Sequence, residues 1–213
     1  MSTLPAPPVG RPTAPLPPSS PTVYEMRNLG TDAERDEAVA LVQDRQRWLS
    51  QRGLPVPARA DIPALFRDPQ TAAAGLFEDG LLLACMVPQY ASRHGWDQGP
   101  CLFLSCFHTL PGRPDNTVVR LITLWASDFA ARLGLPLVRA EALACDPLHG
   151  DPIAPFLRRV IDMGWNLRGP GAGQHGEPVA RLELIAERRP GLKALIGCRV
   201  HEPRPTADTR SVR

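Results

Sequence analysis

Lysine is almost missing from this sequence. Lys193 is the only lysine among 24 basic residues, and the net charge at pH 7 is only +2. The arginines are scattered, apart from the pairs Arg158-Arg159 and Arg188-Arg189. Nucleic-acid-binding proteins usually concentrate basic residues on one face, so we expect no nucleic-acid partner. The preference for arginine, alanine and proline is typical of a GC-rich bacterial genome.

Paired cysteines and long apolar runs are also lacking. The five cysteines form no Cys-x-x-Cys motif, and their number is odd. This predicts reduced thiols in the cytoplasm rather than a disulfide framework. No apolar run reaches the roughly 18 residues of a membrane span, and the N-terminus has no signal-peptide core. The sequence therefore predicts a cytoplasmic protein that does not contact a membrane.

Proline is abundant and concentrated at the start of the chain. Residues 1–21 contain eight prolines, so they cannot build a core and are expected to form a disordered arm. Either an inert tail or a docking segment fits this composition. Residues 22–187 are predicted to be the folded domain. Residues 188–213, rich in arginine and proline, are expected to be a loose tail, with one optional further element at 192–200.

The first half of the chain has clear secondary-structure signals. Thr31 and Glu34 form a capping-box signature at the start of a helix, and Asp79-Gly80 between apolar runs is a strong hairpin signal. The predicted elements are a strand at 23–29, a helix at 32–51, a second helix at 61–66 capped by Asp61, hairpin strands at 73–77 and 81–87, and a polar loop at 88–100.

The centre of the chain is predicted to be a strand at 101–109 followed by a helix at 117–133. The strand is a nearly continuous apolar run, as in strands buried on both faces. The helix has an apolar stripe that includes Val118, Trp125 and Phe129, and Gly134 is suited to end it. A strand leading directly into a helix N-terminus creates an anion site, because the first helical amides lack partners.

The second half continues the alternation of strands and helices. The pattern predicts a strand at 137–143, a loop at 145–151, and a helix that begins near Ile153 and ends at Gly164. Two last strands are expected at 165–168 and 179–186, joined by the glycine-rich loop 169–178. The order is β-α-α-β-β-β-α-β-α-β-β, which predicts a mixed sheet with helices on both faces.

The phrase Leu121-Ile-Thr-Leu-Trp-Ala126, followed by Gly134-Leu-Pro-Leu-Val138, resembles the central helix and next strand of the GNAT acyltransferase superfamily. The resemblance covers residues 22–187. It implies an α/β (α+β) fold with a mixed, mostly antiparallel sheet, in which strands 101–109 and 137–143 are parallel. It also implies acyl transfer from acyl-CoA, or from a pantetheine carrier, to an amine of a small molecule.

In this superfamily the loop before the central helix usually reads Arg/Gln-x-x-Gly-x-Gly/Ala and wraps the diphosphate of acyl-CoA. Here Thr117 and Val119 stand at the glycine positions, Pro114 supplies no amide, and Asp115 would repel a diphosphate at the helix end. The acyl-CoA residues that the resemblance implies are Phe107, Thr109, Arg113, Asn116, Thr117, Val118 and Arg120.

The resemblance also implies a tyrosine that protonates the leaving thiolate, four residues before a Gly-aromatic pair. That pair is Gly164-Trp165, so Val160 holds the position and the usual acid is absent. His108, at the end of the central strand, is a candidate base, or else a histidine bonded to backbone. Glu141 is another candidate base, or else part of a solvated strand face.

Cys145, Asp146, His149 and Asp151 cluster in the loop after strand 137–143. They could supply a thiol nucleophile with its base, or half of a zinc site. No second ligand pair is spaced to complete a zinc site, so we predict no metal. Cys145 or His149 is instead a candidate replacement for the missing tyrosine as acid.

Two main functional hypotheses follow from the sequence. The first is a GNAT-like acyltransferase that acts on a small molecule in a bacterial biosynthetic pathway. The second is a GNAT-fold protein that no longer uses acyl-CoA and instead catalyses a cyclisation or elimination, or binds a small molecule. An interaction module that uses the proline-rich arm is a third hypothesis, and a homodimer is left open.

Overall fold

The computed structural model describes residues 22–57, 61–94, 97–112, 116–144, 153–173 and 176–200. The strands are β1 (Tyr24–Asn28), β2 (Ala74–Glu78), β3 (Leu81–His94), β4 (Asp97–Thr109), β5 (Leu137–Leu143), β6 (Asn166–Ala172), β7 (Pro178–Ile185) and β8 (Ile196–Arg199). The helices are α1 (Asp32–Ser50), α2 (Ile62–Arg67), α3 (Thr117–Arg132) and α4 (Ala154–Asp162), with a short 3-10 helix at Pro190–Ala194.

All eight strands form one sheet in the order β6-β7-β5-β4-β3-β2-β1-β8. The pairs β4–β5 and β1–β8 are parallel, and the other pairs are antiparallel. Helices α1 and α2 cover one face, and α3 and α4 cover the other. The predicted mixed, mostly antiparallel sheet is confirmed, as is the parallel pairing of the central strand with β5 through α3.

The start of α1 follows directly from its sequence. The Thr31 hydroxyl accepts a hydrogen bond from the Glu34 amide, and the Glu34 carboxylate accepts one from the Thr31 amide, which completes the predicted capping box. Arg27 of β1 also pairs with Glu34. In α2, Asp61 occupies the predicted cap position, but its side chain makes no cap hydrogen bond.

The predicted polar loop at 88–100 is wrong, because β3 and β4 extend into a long hairpin arm. Gln89 pairs with Phe103, and Ala91 pairs with Cys101. The backbone hydrogen bonds of the ladder hold these residues in the sheet despite their polar side chains. Tyr90 packs its ring against the core on the α3 face. A polar composition therefore marked a partly exposed hairpin rather than a loop.

The glycine-rich stretch predicted as a loop at 169–178 is shorter than expected, because β6 continues to Ala172. The optional element at 192–200 also forms, as the 3-10 helix and β8. The end of α3 holds this segment: the Arg189 amide donates to Asp128 Oδ1 at 2.8 Å, and the Glu187 amide donates to Ser127 Oγ at 3.0 Å. The sheet thus extends beyond residue 187, to Arg199.

Two apolar cores lie on the two faces of the sheet. The larger one surrounds α3, where the predicted stripe is buried and Trp125 stacks on Phe129 with ring centroids 5.1 Å apart. In α4, Leu157 and Val160 are buried, whereas Ile161 is exposed. No helix in the described part of the chain is long and apolar enough to cross a membrane.

Candidate functional site

The central strands β4 and β5 separate halfway along their length. Their parallel pairing runs from Cys101–Leu137 to Leu104–Ala140, and no pair beyond these is found among the described residues. From that point β5 stays with β7, to which it pairs as far as Leu143. The two strands therefore splay apart, and the space between them opens into a cavity.

A bulge in β4 lies at the same point. The register with β3 shifts between Cys85–His108 and Val87–Ser105, so two residues of β4 face one residue of β3. Cys106 in this bulge has φ +52°, a conformation that non-glycine residues rarely adopt. Bulges of this kind re-aim side chains and interrupt strand pairing, and they are common beside active sites.

One cavity of about 750 Å³ reaches through the gap to both faces of the sheet. On the α1 face its wall includes Arg45, Trp48, Leu49, Arg52 and Ile62. On the other face its wall includes Val119, Phe156, Val160, Met163 and Trp165. The bulge residues of β4 lie between these walls. A ligand on one face can therefore meet a ligand on the other within the gap.

His108 lies in this cavity wall, on the α1 face of the sheet. It stands directly opposite Cys85, which packs under α1, and cross-strand partners share a face. Its Nδ1 lies 2.8 Å from the Cys106 carbonyl oxygen. A carbonyl can only accept, so Nδ1 carries the proton and Nε2 keeps its lone pair. The backbone-bonded alternative and the base alternative are therefore compatible.

The pKa of His108 lies below its usual value of 6.5. Burial is the largest cause, since only 5% of the residue is exposed. The hydrogen bond to Cys106 opposes the shift, and the positive charge of Arg45 adds to it. The imidazole is therefore neutral at pH 7 and has the protonation state that a general base requires.

Glu141 also lines the cavity, from the part of β5 that has left β4. It is half-buried, and both its role as a base and its place on a strand face stay predictions. Arg139, on the same face of β5, is only 1% exposed and pairs with Glu183 at 3.1 Å. Strand alternation indicated a solvated polar face, but Arg139 on that face is held in a buried ion pair.

The residues assigned to acyl-CoA divide into two groups. Phe107, Thr109, Asn116 and Val118 line the cavity, whereas Thr117 and Arg120 are exposed outside its wall. Asn116 is the N-cap residue of α3, although its side chain makes no cap hydrogen bond. The Arg120 amide donates to the Asn116 carbonyl at 2.9 Å, so the helical ladder begins there. Arg113 lies outside the described residues.

Cys145, Asp146, His149 and Asp151 lie outside the described residues, so their roles as nucleophile, acid or metal ligands stay predictions. Within the described part of the chain, no group of three or more histidine, cysteine, aspartate or glutamate side chains could hold a metal ion.

Sequence reasoning missed the arginines that line the cavity. Arg45 and Trp48 lie in the last turns of α1, Arg52 lies in the turn that follows its last residue, Ser50, and Arg159 lies on α4. The spacing Arg-x-x-Trp-x-x-x-Arg brings the three side chains to one side where the helical path continues toward Arg52, so this signal was present in the sequence. The signal was overlooked because Trp48 also continues the apolar stripe of α1, a position that favours a core residue.

Solved structures share this arrangement of elements. An acetyltransferase of the GNAT family from Listeria monocytogenes is 12% identical and superposes with a TM-score of 0.53, over 76% of this chain and 94% of its own. The ribosomal-protein-S18-alanine N-acetyltransferase of Escherichia coli is 13% identical, with a TM-score of 0.53 over 78% and 96%. This chain has the GNAT fold.

An aminoglycoside 6'-N-acetyltransferase in complex with coenzyme A also has the GNAT fold. It is 11% identical to this chain and superposes with a TM-score of 0.52, over 79% of this chain and 99% of its own. No family model matches the sequence, and no curated protein does. The likeness is therefore one of fold, and the chemistry has to be argued from the side chains of this chain.

Proposed function

We propose that this protein transfers an acyl group from a pantetheine thioester, such as acetyl-CoA, to an amine of a small molecule. The observation that carries the proposal is the gap between β4 and β5, with a single cavity that reaches both faces of the sheet. Acyl transfer needs two substrates whose reacting atoms meet at close range. The gap offers such a meeting point, with separate access for each substrate.

The α3–α4 side of the cavity suits the thioester. Its wall is mostly apolar and includes Val119, Phe156, Val160 and Met163. The backbone of β4 at 105–107 borders the gap where pairing with β5 has ended, so an amide N–H of this edge would donate a hydrogen bond to the thioester carbonyl and stabilise the negative charge that develops on its oxygen. Arg159 of α4 also lines the cavity and would attract the phosphates of CoA.

The start of α3 fits a CoA diphosphate less well. Close approach of phosphates to helical amides is easiest where glycine leaves the backbone uncovered. Thr117 and Val119 carry side chains at these positions, and Val119 itself forms part of the cavity wall. We therefore expect weak binding of free CoA, with the apolar wall rather than the diphosphate contributing most of the affinity for the thioester.

His108 is the base in this proposal. Aliphatic amines are protonated at neutral pH and must lose a proton before they attack. The neutral imidazole accepts that proton at Nε2, directly or through one water. The neutral amine nitrogen then bonds to the thioester carbon, the carbon–sulfur bond breaks, and its electron pair leaves with sulfur. The nitrogen gives up its second proton as the amide forms, and the thiolate takes up this proton directly or through solvent. His108 returns the first proton to solvent.

The absence of the usual tyrosine is compatible with this chemistry. Val160 holds its position, is only 2% exposed and packs in the cavity wall. A thiol has a pKa of about 8.5, so a thiolate departs near neutral pH without an acid at only a modest energetic cost. Residues 145–152 lie outside the described residues, and Cys145 and His149 stay candidate acids.

The direct test is a search for acylated products. Purified protein with acetyl-CoA and a panel of small-molecule amines should release CoA and give N-acetylated product detectable by mass spectrometry. His108→Gln should slow the reaction by about a hundredfold, as expected for loss of a general base. Arg67→Gln, which removes an exposed arginine on α2, should not. Absence of any product with all thioesters and amines would contradict the proposal.

A second function is favoured by one observation. Thr117, Val119 and Val160 together replace the residues that the family uses for the diphosphate and the leaving group. A protein that has left acyl-CoA chemistry would tolerate these replacements while it keeps the cleft for another small molecule. Thermal-shift titrations with acetyl-CoA and with CoA separate the two hypotheses, since only a thioester-using protein is stabilised by acetyl-CoA.

A further inference from the structure

The α1 end of the cavity holds two arginines on one indole ring. The guanidinium carbon of Arg45 lies 4.4 Å from the centre of the Trp48 ring, and that of Arg52 lies 4.0 Å from it. Each contact alone is a cation–π interaction of ordinary geometry. Two cations on one aromatic ring concentrate positive charge at a single point of the cavity wall.

Nothing in the described part of the chain neutralises this charge. The exposed Arg47 and Arg67 pair with Asp44 and Asp36, but neither Arg45 nor Arg52 forms an ion pair with a described carboxylate. Arg45 is half-buried as well. Burial and the neighbouring Arg52 both lower the pKa of Arg45. Arg52 is exposed, so the cost of this repulsion falls mainly on Arg45, and an anion bound between the two guanidinium groups would offset it.

The opposite side of the cavity carries the opposite charge. Glu141 of β5 and Glu177, which precedes β7, both line it. His108 lies on β4, which neighbours β5 in the sheet, and on the face that α1 covers. The cavity wall therefore carries two cations at α1 and two carboxylates at β5 and β7, with Glu141 directly opposite Arg181 in the strand ladder. A molecule with an amine at one end and an anion at the other matches this arrangement.

We propose that the acceptor is an amine that also carries a carboxylate, and that Arg45 and Arg52 bind this carboxylate while Trp48 holds both guanidinium groups in place. This proposal rests on the proposed acyl transfer and names the substrate class for it. Arginine offers paired N–H donors that match the two oxygens of a carboxylate. With the carboxylate anchored at α1, the amine points toward the gap, His108 and Glu141.

The test compares carboxylates with their neutral amides. The probes are β-alanine, 4-aminobutyrate, 6-aminohexanoate and 4-(aminomethyl)benzoate, each beside its carboxamide. Binding is followed by titration calorimetry on the full chain without any thioester. At least one carboxylate should bind about tenfold to a hundredfold more tightly than its amide, the loss expected for a charge-assisted contact. The difference should shrink at high salt, because part of it is charge attraction.

Variants identify the groups responsible. Arg45→Gln and Arg52→Gln should each abolish the preference for the carboxylate while the amide binds as before. Arg47→Gln is the matched control: Arg47 lies on the same helix but is exposed and pairs with Asp44. It should change nothing. Trp48→Leu should weaken carboxylate binding because the two guanidinium groups lose their shared support. Far-UV circular dichroism confirms that each variant is folded.

Four results would overturn the proposal. The first three are equal binding of each acid and its amide, an equal loss in Arg47→Gln, and no binding of any carboxylate up to its solubility limit. The fourth is an aminoalkyl phosphate that binds more tightly than every carboxylate. Acyl transfer is assayed separately. Carboxylate-dependent binding without acylated product would leave the carboxylate site standing and defeat the proposed reaction. Preferential acylation of neutral amines would support the reaction and overturn the carboxylate site.

Discussion

The imidazole Nδ1 of His108 lies 2.8 Å from the carbonyl oxygen of Cys106, the residue whose φ of +52° forms the bulge in β4. One local distortion thus does three things. It ends the regular ladder with β3, it presents a backbone acceptor to the imidazole, and that acceptor fixes the tautomer whose Nε2 can take a proton. Strained backbone beside a functional group is a common feature of active sites.

The first prediction concerns the pH dependence of stability. The pKa of folded His108 lies below 6.5, so between that lowered pKa and 6.5 the unfolded chain binds more protons than the folded one. Stability is therefore complete above 6.5 and falls as the pH drops through this window. In His108→Gln this part of the pH dependence should vanish. Urea denaturation at several pH values from about 5 to about 7.5 measures it.

The same titration should appear in catalysis. The rate constant kcat/KM should fall on the acidic side with an apparent pKa below 6.5, because protonated His108 cannot act as a base. Removing the nearby charge with Arg45→Gln should move this pKa upward, toward 6.5. A profile that is flat between about pH 5 and 7, or one that shifts downward in Arg45→Gln, would argue against His108 as the base.

The second prediction concerns the strained residue of the bulge. Cys106→Gly should raise the free energy of unfolding by up to about 1 kcal/mol, because glycine adopts positive φ without steric cost. Cys106→Val should lower it by more than about 1 kcal/mol, because a β-branched side chain clashes there. Urea denaturation of both variants gives the two values.

Cys198 supplies the matched control for the bulge. It is also half-buried but lies in the regular strand β8, outside the residues with positive φ. At Cys198 the valine variant should have the higher free energy of unfolding and the glycine variant the lower one, since valine suits a strand better than glycine does. If glycine stabilises both sites, or neither, backbone strain at Cys106 does not contribute to stability as predicted.

Most of the fold could be predicted from local sequence signals. The capping box at Thr31, the Asp79-Gly80 turn and the 3.6-residue stripe of α3 each depend on residues close together in the chain, and all three form. The hairpin arm at 88–100 could not, because its strand pairing depends on contacts across the sheet rather than on composition. The same holds for β8, which pairs with the distant strand β1.

The site was only partly predictable for a related reason. His108 and Glu141 could be placed near the gap, since both follow from strand order. The bulge at Cys106 could not, because a positive φ at a cysteine has no signal in the sequence. The role of Arg139 also depended on a partner, Glu183, that is far away in the chain but adjacent in the sheet.

The third prediction concerns that buried pair. Arg139→Met should destabilise the fold by about 3–5 kcal/mol, because it leaves the Glu183 carboxylate buried without its main cation. The double variant Arg139→Met/Glu183→Leu should regain much of this loss, since neither charge then remains. Urea denaturation of the single and double variants measures the coupling.

The exposed pair Arg67–Asp36 is the control for this cycle, at 3.4 Å and with both side chains more than half exposed. Its removal should cost less than about 1 kcal/mol. Strict additivity of Arg139→Met and Glu183→Leu would show that the two side chains do not depend on each other, and the assignment of a buried ion pair would be wrong.

The last prediction concerns the loop before α3. Asp115 precedes Asn116, the first cap residue of this helix, and lies outside the described residues. A carboxylate there competes with a diphosphate for the positive end of the helix. Asp115→Gly should therefore bind CoA more tightly than the wild type does, in titration calorimetry. The gain should be largest at low salt, because long-range repulsion is part of the effect.

The control is Asp162→Gly. Asp162 is the last residue of α4, so it lies at the C-terminus of a helix rather than before an N-terminus. The substitution removes the same charge from a helix C-terminus, away from the start of α3, and should leave CoA binding unchanged.

Weaker binding in Asp115→Gly would mean that Asp115 orders the loop, since a glycine adds backbone freedom that binding must then remove. Equal binding at low and high salt would show that the gain, if any, comes from shape alone. If neither protein binds CoA, the thioester site has another occupant, and His108, Cys145 and His149 become the residues whose alanine variants should be compared against the amino carboxylates.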